Sequence, residues 1–309
     1  MESLTQKRSS NFILIGYLAV LGSALLSGLI PSVSKPALTN MSPILFTAIV
    51  TLTPAVLFTP LTMRSSTENK HIRKWGFVIL SLTAVAGAFV APYIYFLGLK
   101  QTQASDAALL GNGEMVFTVL IASLFFGERL GRKGVLAMLF LGAGIVIAIT
   151  DLQFSGNMLD ITSSGHLLIL GATFLWGVDN NVTGAIADRL IVAKIVQLKA
   201  LIAGIGLFAA AALTNSLSYS GPMMLVYALV LGLVVFSGSA FLSIQSLKRL
   251  GAIRTTLVFP ISTVFGLLFA SQLLHEQITF YQVISVGIII LGIDLMMKKN
   301  SVIREGAEQ

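Results

Sequence analysis

Two acidic residues, Glu114 and Asp179, lie inside long apolar stretches, in GNGEMVF (111–117) and TFLWGVDNNV (173–182). A charge at the centre of a helix in lipid costs at least about 2.5–3.5 kcal/mol on insertion scales, so such a group is a functional candidate by default. Two chemistries are open to the pair. The carboxyls exchange a proton or hold a solute along a wet path through a membrane, or they form the acid/base pair of an integral-membrane enzyme. Asn112, Asn180 and Asn181 add amides beside them, and Trp176 and Tyr93 add aromatic surface with a polar tip. Lys35 adds a cation long enough to snorkel to an interface. These eight residues form the candidate substrate-binding or coupling set. A structural role competes for the asparagines, because interhelical contacts of this kind contribute roughly 0.6 kcal/mol each. Gly111 and Gly113 around Asn112 likewise permit close backbone approach at a helix crossing.

Other chemistries lack their residues. The chain has no Cys, hence no thiolate metal site and no thiol nucleophile. His275-Glu276-Gln277-Ile278-Thr279 begins like a zinc-protease motif, but its second His is missing. No Walker-type phosphate loop is present either. The expectation is therefore no catalytic residues, no metal and no bound cofactor, with coupling to a proton or other ion gradient as the source of any work.

The elements that position these residues follow from composition. Of 309 residues, 55% are hydrophobic and 11% charged, and the mean hydropathy is +0.89, against about 25% charged in soluble domains. Ten apolar segments, each near the length that crosses a hydrocarbon core about 30 Å thick, are read at 12–30, 43–62, 76–98, 104–126, 134–150, 165–184, 195–214, 222–246, 255–274 and 280–297. The first follows Lys7 and Arg8 like a secretory signal, but it lacks a small-residue cleavage site and is read as retained. Of the 20 Lys and Arg, all but Lys35 and Lys100 fall on one side of the alternating connectors, Lys199 counted among them. By the positive-inside rule both termini are cytoplasmic, in a multi-pass protein of the plasma membrane. The net charge of +7 then reports topology, not a nucleic-acid partner.

Depth follows from 1.5 Å per residue. Glu114 is about 15 Å into the fourth segment and Asp179 about 21 Å into the sixth, with no basic residue expected at comparable depth. Both are expected to face one central cavity, and at least one to change protonation during transport. Glu128 and Glu276, at helix ends, are expected to bind amides at the start of the helix that follows each. Asp294 is expected to pair with Lys298 at i,i+4.

The chain also repeats itself. GYLAVLGSALLSG from Gly16 lies over GHLLILGATFLWG from Gly165 at an offset of 149, and LKQTQASDAALL from Leu99 over LKRLGAIRTTLV from Leu247 at an offset of 148. The second register continues through VFTVLIAS over VFGLLFAS, from Val116 and Val264, and matches Glu128 to Glu276 and Gly144 to Gly292. Five helices per copy is an odd number, so the second copy enters the membrane from the opposite side. The predicted fold is an all-α integral membrane protein of ten transmembrane helices in two inverted five-helix repeats. Its parts are a cytoplasmic tail (1–11), the first repeat (12–150), an external linker (151–164), the second repeat (165–297) and a cytoplasmic tail (298–309). Inverted repeats of this kind place substrate sites near the midplane where they meet.

With LWG in segment 6, LKRLGA at 247–252, LKQTQAS at 99–105, and the endings FFGE (125–128) and LLHE (273–276), the chain resembles the EamA-type members of the drug/metabolite transporter superfamily. SGLIPSVSKPAL from Ser27 is similar to that family's first-helix pattern, although Ser27, Val50 and Met115 stand where the family often has Trp, Arg and Pro. The resemblance implies a secondary, ATP-independent transporter of a small organic solute, an amino acid or related metabolite, working as an exporter by alternating access. Its partners are the solute and the lipid bilayer, as a monomer or homodimer, with no nucleic acid. A multidrug or cation exporter of the same superfamily and the membrane enzyme remain the alternatives.

Overall fold

A computed structural model describes residues 2–63, 74–125, 132–150, 164–184 and 192–305. Within these the chain is helical, in ten elements. They are α1 (Glu2–Asn40), α2 (Pro43–Met63), α3 (74–99), α4 (104–125), α5 (Arg132–Thr150), α6 (Ser164–Gly184), α7 (Val192–Leu213), α8 (222–258), α9 (259–274) and α10 (Phe280–Glu305). Six helices are long and apolar enough to cross a membrane, and three shorter apolar stretches lie in α5, α9 and α10. The tenth, α6, belongs to neither group because Asp179, Asn180 and Asn181 lower its mean hydropathy.

The first helix departs from expectation. The sequence reading ends its apolar segment at residue 30, but the helix continues through Pro31 and Pro36 to Asn40, so 31–40 is not a connector. The carbonyls freed by the two prolines are tolerable in a helix wrapped by neighbours. The 247–254 connector is also written in helical backbone, within Ser237–Val258. Ser246 Oγ nevertheless lies 2.8 Å from Thr255 Oγ1, where nine residues of straight helix would separate them by about 13 Å. The chain therefore turns back between them, as the repeat requires.

Helix packing shows the inverted repeat directly. α1 packs on α8 and α9, and its counterpart α6 packs on α3 and α4; α2 packs on α7, and α5 on α10. Equivalent glycines make equivalent crossings. A Cβ on Gly28 would meet Phe265 Cβ at 2.8 Å, and one on Gly177 would meet Phe117 Cβ at 2.8 Å. Both pairs are related by the repeat, 28 to 177 and 117 to 265. Gly144 likewise seats against Ile289 and Gly292 against Leu141. Without a hydrophobic drive between helices in lipid, such small-residue contacts are what bring backbones together.

Two irregular stretches also correspond. α3 contains a π-helical segment, Ala84–Val90, and α8 contains another, Gly232–Phe236. α4 is broken between Ala104–Leu110 and Gly113–Phe125. Rings from four helices pack together in the main buried core. Phe46 lies edge-on to Phe96 at 5.0 Å, Phe96 meets Phe236 at 5.8 Å, and Tyr95 meets Trp176 at 5.4 Å.

Candidate functional site

The break in α4 sits at Gly111 and Asn112, where the backbone tightens to i→i−3 bonds, Asn112 N–H to the Leu109 carbonyl (3.2 Å) and Glu114 N–H to the Gly111 carbonyl (3.2 Å). Asn112 itself is buried and crosses to α9, donating to Thr263 Oγ1 at 2.8 Å. Immediately after the break, Glu114 accepts a hydrogen bond from Asn180 Nδ2 at 2.7 Å. Asn180 also reaches Thr118 Oγ1 at 3.3 Å, and Asn181 donates to the Thr118 carbonyl at 2.9 Å. The seam between α4 and α6, one helix from each repeat, is thus tied by amide and carboxyl groups.

Asp179 points elsewhere. Consecutive residues on a helix are turned by about 100°, so when Asn180 faces α4, Asp179 faces α3 and α7. There Lys199 Nζ donates to Asp179 Oδ1 at 2.5 Å and also to Oδ2, with Thr183 Oγ1 donating to Oδ1 at 3.1 Å. Each side chain of the ion pair is 12% exposed. The wall opposite is Gly87, in the π-helical segment of α3, where any Cβ would run into the Asp179 carboxyl. Trp176, one turn back, donates Nε1–H to the Gly87 carbonyl at 3.0 Å. The irregular turn and its glycine therefore form a seat for one carboxylate.

This corrects the expectation that neither carboxyl has a basic partner. Lys199 was assigned to a cytoplasmic connector by the charge alternation, yet it lies seven residues into α7. From the shared end of the two helices, Asp179 is about 8 Å in and Lys199 about 10 Å, and matching depth was the available signal. Glu114 differs. Among the described residues its side-chain partner is the neutral Asn180, and the contact lies on an exposed part of the seam.

The remaining candidates lie apart. Tyr93 packs with Phe89 against Ile44, Ala48, Leu207 and Ala211, between α2 and α7. Lys35, at the far end of α1, lies 3.8 Å from Glu276 and donates to the Thr102 carbonyl. Glu276 does not bind the helix that follows it. It accepts from the first amides of α4, Ala104 N–H at 2.8 Å and Ser105 N–H at 2.9 Å. Glu128 lies outside the described residues, as does the side chain of Lys298 expected to pair with Asp294. Residues missed by sequence reasoning are Lys199, Thr118, Thr183, Thr263 and Gly87.

Comparison with known proteins places this geometry in context. A model of the EamA-like transporter family matches twice, over residues 14–150 and 163–298, one match per repeat. An uncharacterized transporter of Methanothermobacter thermautotrophicus is 27% identical over 295 residues, covering 91% of this chain and 85% of the relative. The uncharacterized transporter YyaM of Bacillus subtilis is 24% identical over 287 residues, covering 90% and 92%. A crystal structure superposes with a TM-score of 0.64 at 17% identity, over 93% of this chain and 96% of that one, which shows a shared fold.

Proposed function

The chain belongs to the EamA-like transporter family, and from that premise we propose that it exports a small organic solute, an amino acid or related metabolite, by alternating access and without ATP. It is a transporter and not an enzyme, so an acid/base pair for catalysis is set aside. The observation that carries the reading is the Glu114–Asn180 hydrogen bond of 2.7 Å. It joins the two repeats beside a helix break, at an acid whose side-chain partner among the described residues is a neutral amide. In this reading the solute path runs along the α4–α6 seam. Glu114 is the coupling residue, Asn180, Asn181 and Thr118 present hydrogen bonds to solute, and the Asp179–Lys199 pair braces α6 against α3 and α7 behind the seam. The repeats span 12–150 and 165–297, with both termini cytoplasmic in the plasma membrane.

An acid with no cation beside it among the described residues also favours a second reading, export of an organic cation that would supply the positive charge. One experiment separates the two. Protein reconstituted in vesicles is assayed for uptake and efflux of radiolabelled amino acids, nucleosides and amines, with and without a proton gradient. Gradient-dependent movement of amino acids supports the first reading, and of amines alone the second. Movement of none of these substrates under either condition rejects both.

A further inference from the structure

The contacts made by Glu276 hold three helix ends together. Its carboxylate accepts from Ala104 N–H at 2.8 Å, Ser105 N–H at 2.9 Å and Ser105 Oγ at 2.8 Å, and Lys35 Nζ stands 3.8 Å away. Lys35 also donates to the Thr102 carbonyl, in the turn that precedes α4. Lys35 and the 102–105 turn belong to the first repeat, and Glu276 to the second. Local backbone aims the carboxylate. His275 ends α9 in the left-handed conformation, φ 54°, and Glu276 N–H returns to the Ala270 carbonyl at 3.2 Å. The chain is thereby reversed toward α4 rather than onward to α10.

We propose that Glu276 and Lys35 are a latch that closes one end of the transport path by clamping α9 and α1 to the first turn of α4. The latch joins groups that must separate if the repeats are to rock apart at that end. Its strength comes from a charged acceptor holding a helix terminus, the stronger class of hydrogen bond. A hollow of about 260 Å³ lined by Lys35, Pro36, Thr39, Leu274 and Glu276 lies beside it, so the two side chains have space into which to part. The clamp covers buried apolar chain. Ala107, one turn into α4, is 1% exposed and packs in the core with Leu38 and Leu110.

The latch rests on the alternating-access reading for its purpose, but its test needs no solute. The chain has no Cys, so Ala107→Cys in the full-length protein gives a single thiol beneath the clamp. Its labelling by a membrane-impermeant maleimide is followed in right-side-out and inside-out vesicles. Glu276→Gln removes the charge while keeping the shape, and is expected to raise the labelling rate from one face about tenfold or more, the loss of charged hydrogen bonds setting the scale. Lys35→Gln is expected to raise it from the same face by a smaller factor, and it decides the matter if Glu276→Gln does not fold. Rates within twofold of the parent for the folded variants, on both faces, overturn the latch. Acceleration only from the opposite face, which bears the Lys74 end of α3 and the Arg132 end of α5, likewise overturns the latch.

Discussion

Lys199→Met tests the ion pair at the inner end of α6. Its ammonium is shared by both Asp179 oxygens and by Thr183 Oγ1 at 3.3 Å, with each member of the pair 12% exposed. Without it, a carboxylate remains facing Gly87 with the Thr183 hydroxyl as its side-chain donor among the described residues. Removing one partner of a buried pair costs about 3–5 kcal/mol, because the survivor is left charged and unpaired. At about 2 °C per kcal/mol for a chain of this size, the melting temperature in detergent should fall by about 6–10 °C. The assay is thermal unfolding of purified protein, followed by tryptophan fluorescence, to which Trp176 contributes from beside Gly87. The decisive comparison is Asp179→Asn with Lys199→Met in one chain. A neutral amide needs no cation, so the double variant should regain at least half the loss, a coupling that only neighbours show. A Lys199→Met protein melting within 2 °C of the parent, or a double variant melting below the single one, would refute the reasoning.

Glu114→Gln keeps an acceptor for Asn180 while removing the titrating proton, so transport should persist with a flattened dependence on pH; an unchanged profile means that the carboxyl is structural. Gly87→Val places a branched side chain where the Asp179 carboxyl lies, and should lower thermal stability or displace the ion pair, whereas Gly142→Ala, with no atom within 4 Å of its added Cβ, should leave melting within about 1 °C. Single cysteines at Lys70 or Lys133 should label only from the cytoplasmic face and one at Leu217 only from outside, and external labelling at either lysine position would overturn the orientation.

Much of the architecture was legible because the repeat is a register, not a trend. The offsets of 149 and 148 pair Gly28 with Gly177 and Phe117 with Phe265, and those residues do make the same crossing twice. What sequence reasoning missed has two causes. Prolines 31 and 36 are ordinary helix-ending signals, but in a bundle the neighbours decide, and α1 ran ten residues past the expected edge. The site was harder because sequence adjacency is not spatial adjacency. Asp179 and Asn180 are consecutive yet serve different helices, a consequence of the 100° turn that a polar row conceals. Lys199 was hidden by an accounting of charges by connector, which has no place for a lysine that never leaves the helix. Glu276 was visible as a cap, but which helix it capped depended on the left-handed turn at His275.

The paired π-helical segments show how far the two halves share their irregularities as well as their helices. They begin at 84 and 232, 148 residues apart, in the same register that relates α4 to α9. A widened turn carries one residue more than the surrounding helix and rotates everything beyond it by about 100°, so gaining one independently in each half would have had to happen at the same place twice. Its presence at equivalent places in both copies marks it as a feature of the repeated unit itself. The change of offset from 149 to 148 marks a one-residue difference in length between the copies, between the first helix and the third. The same widened turn has separate duties in the two halves, seating a carboxylate against Gly87 in one and closing on Thr53 through Gly232 in the other. One shared irregularity thus serves two different contacts, a buried carboxylate in one half and a threonine of a neighbouring helix in the other.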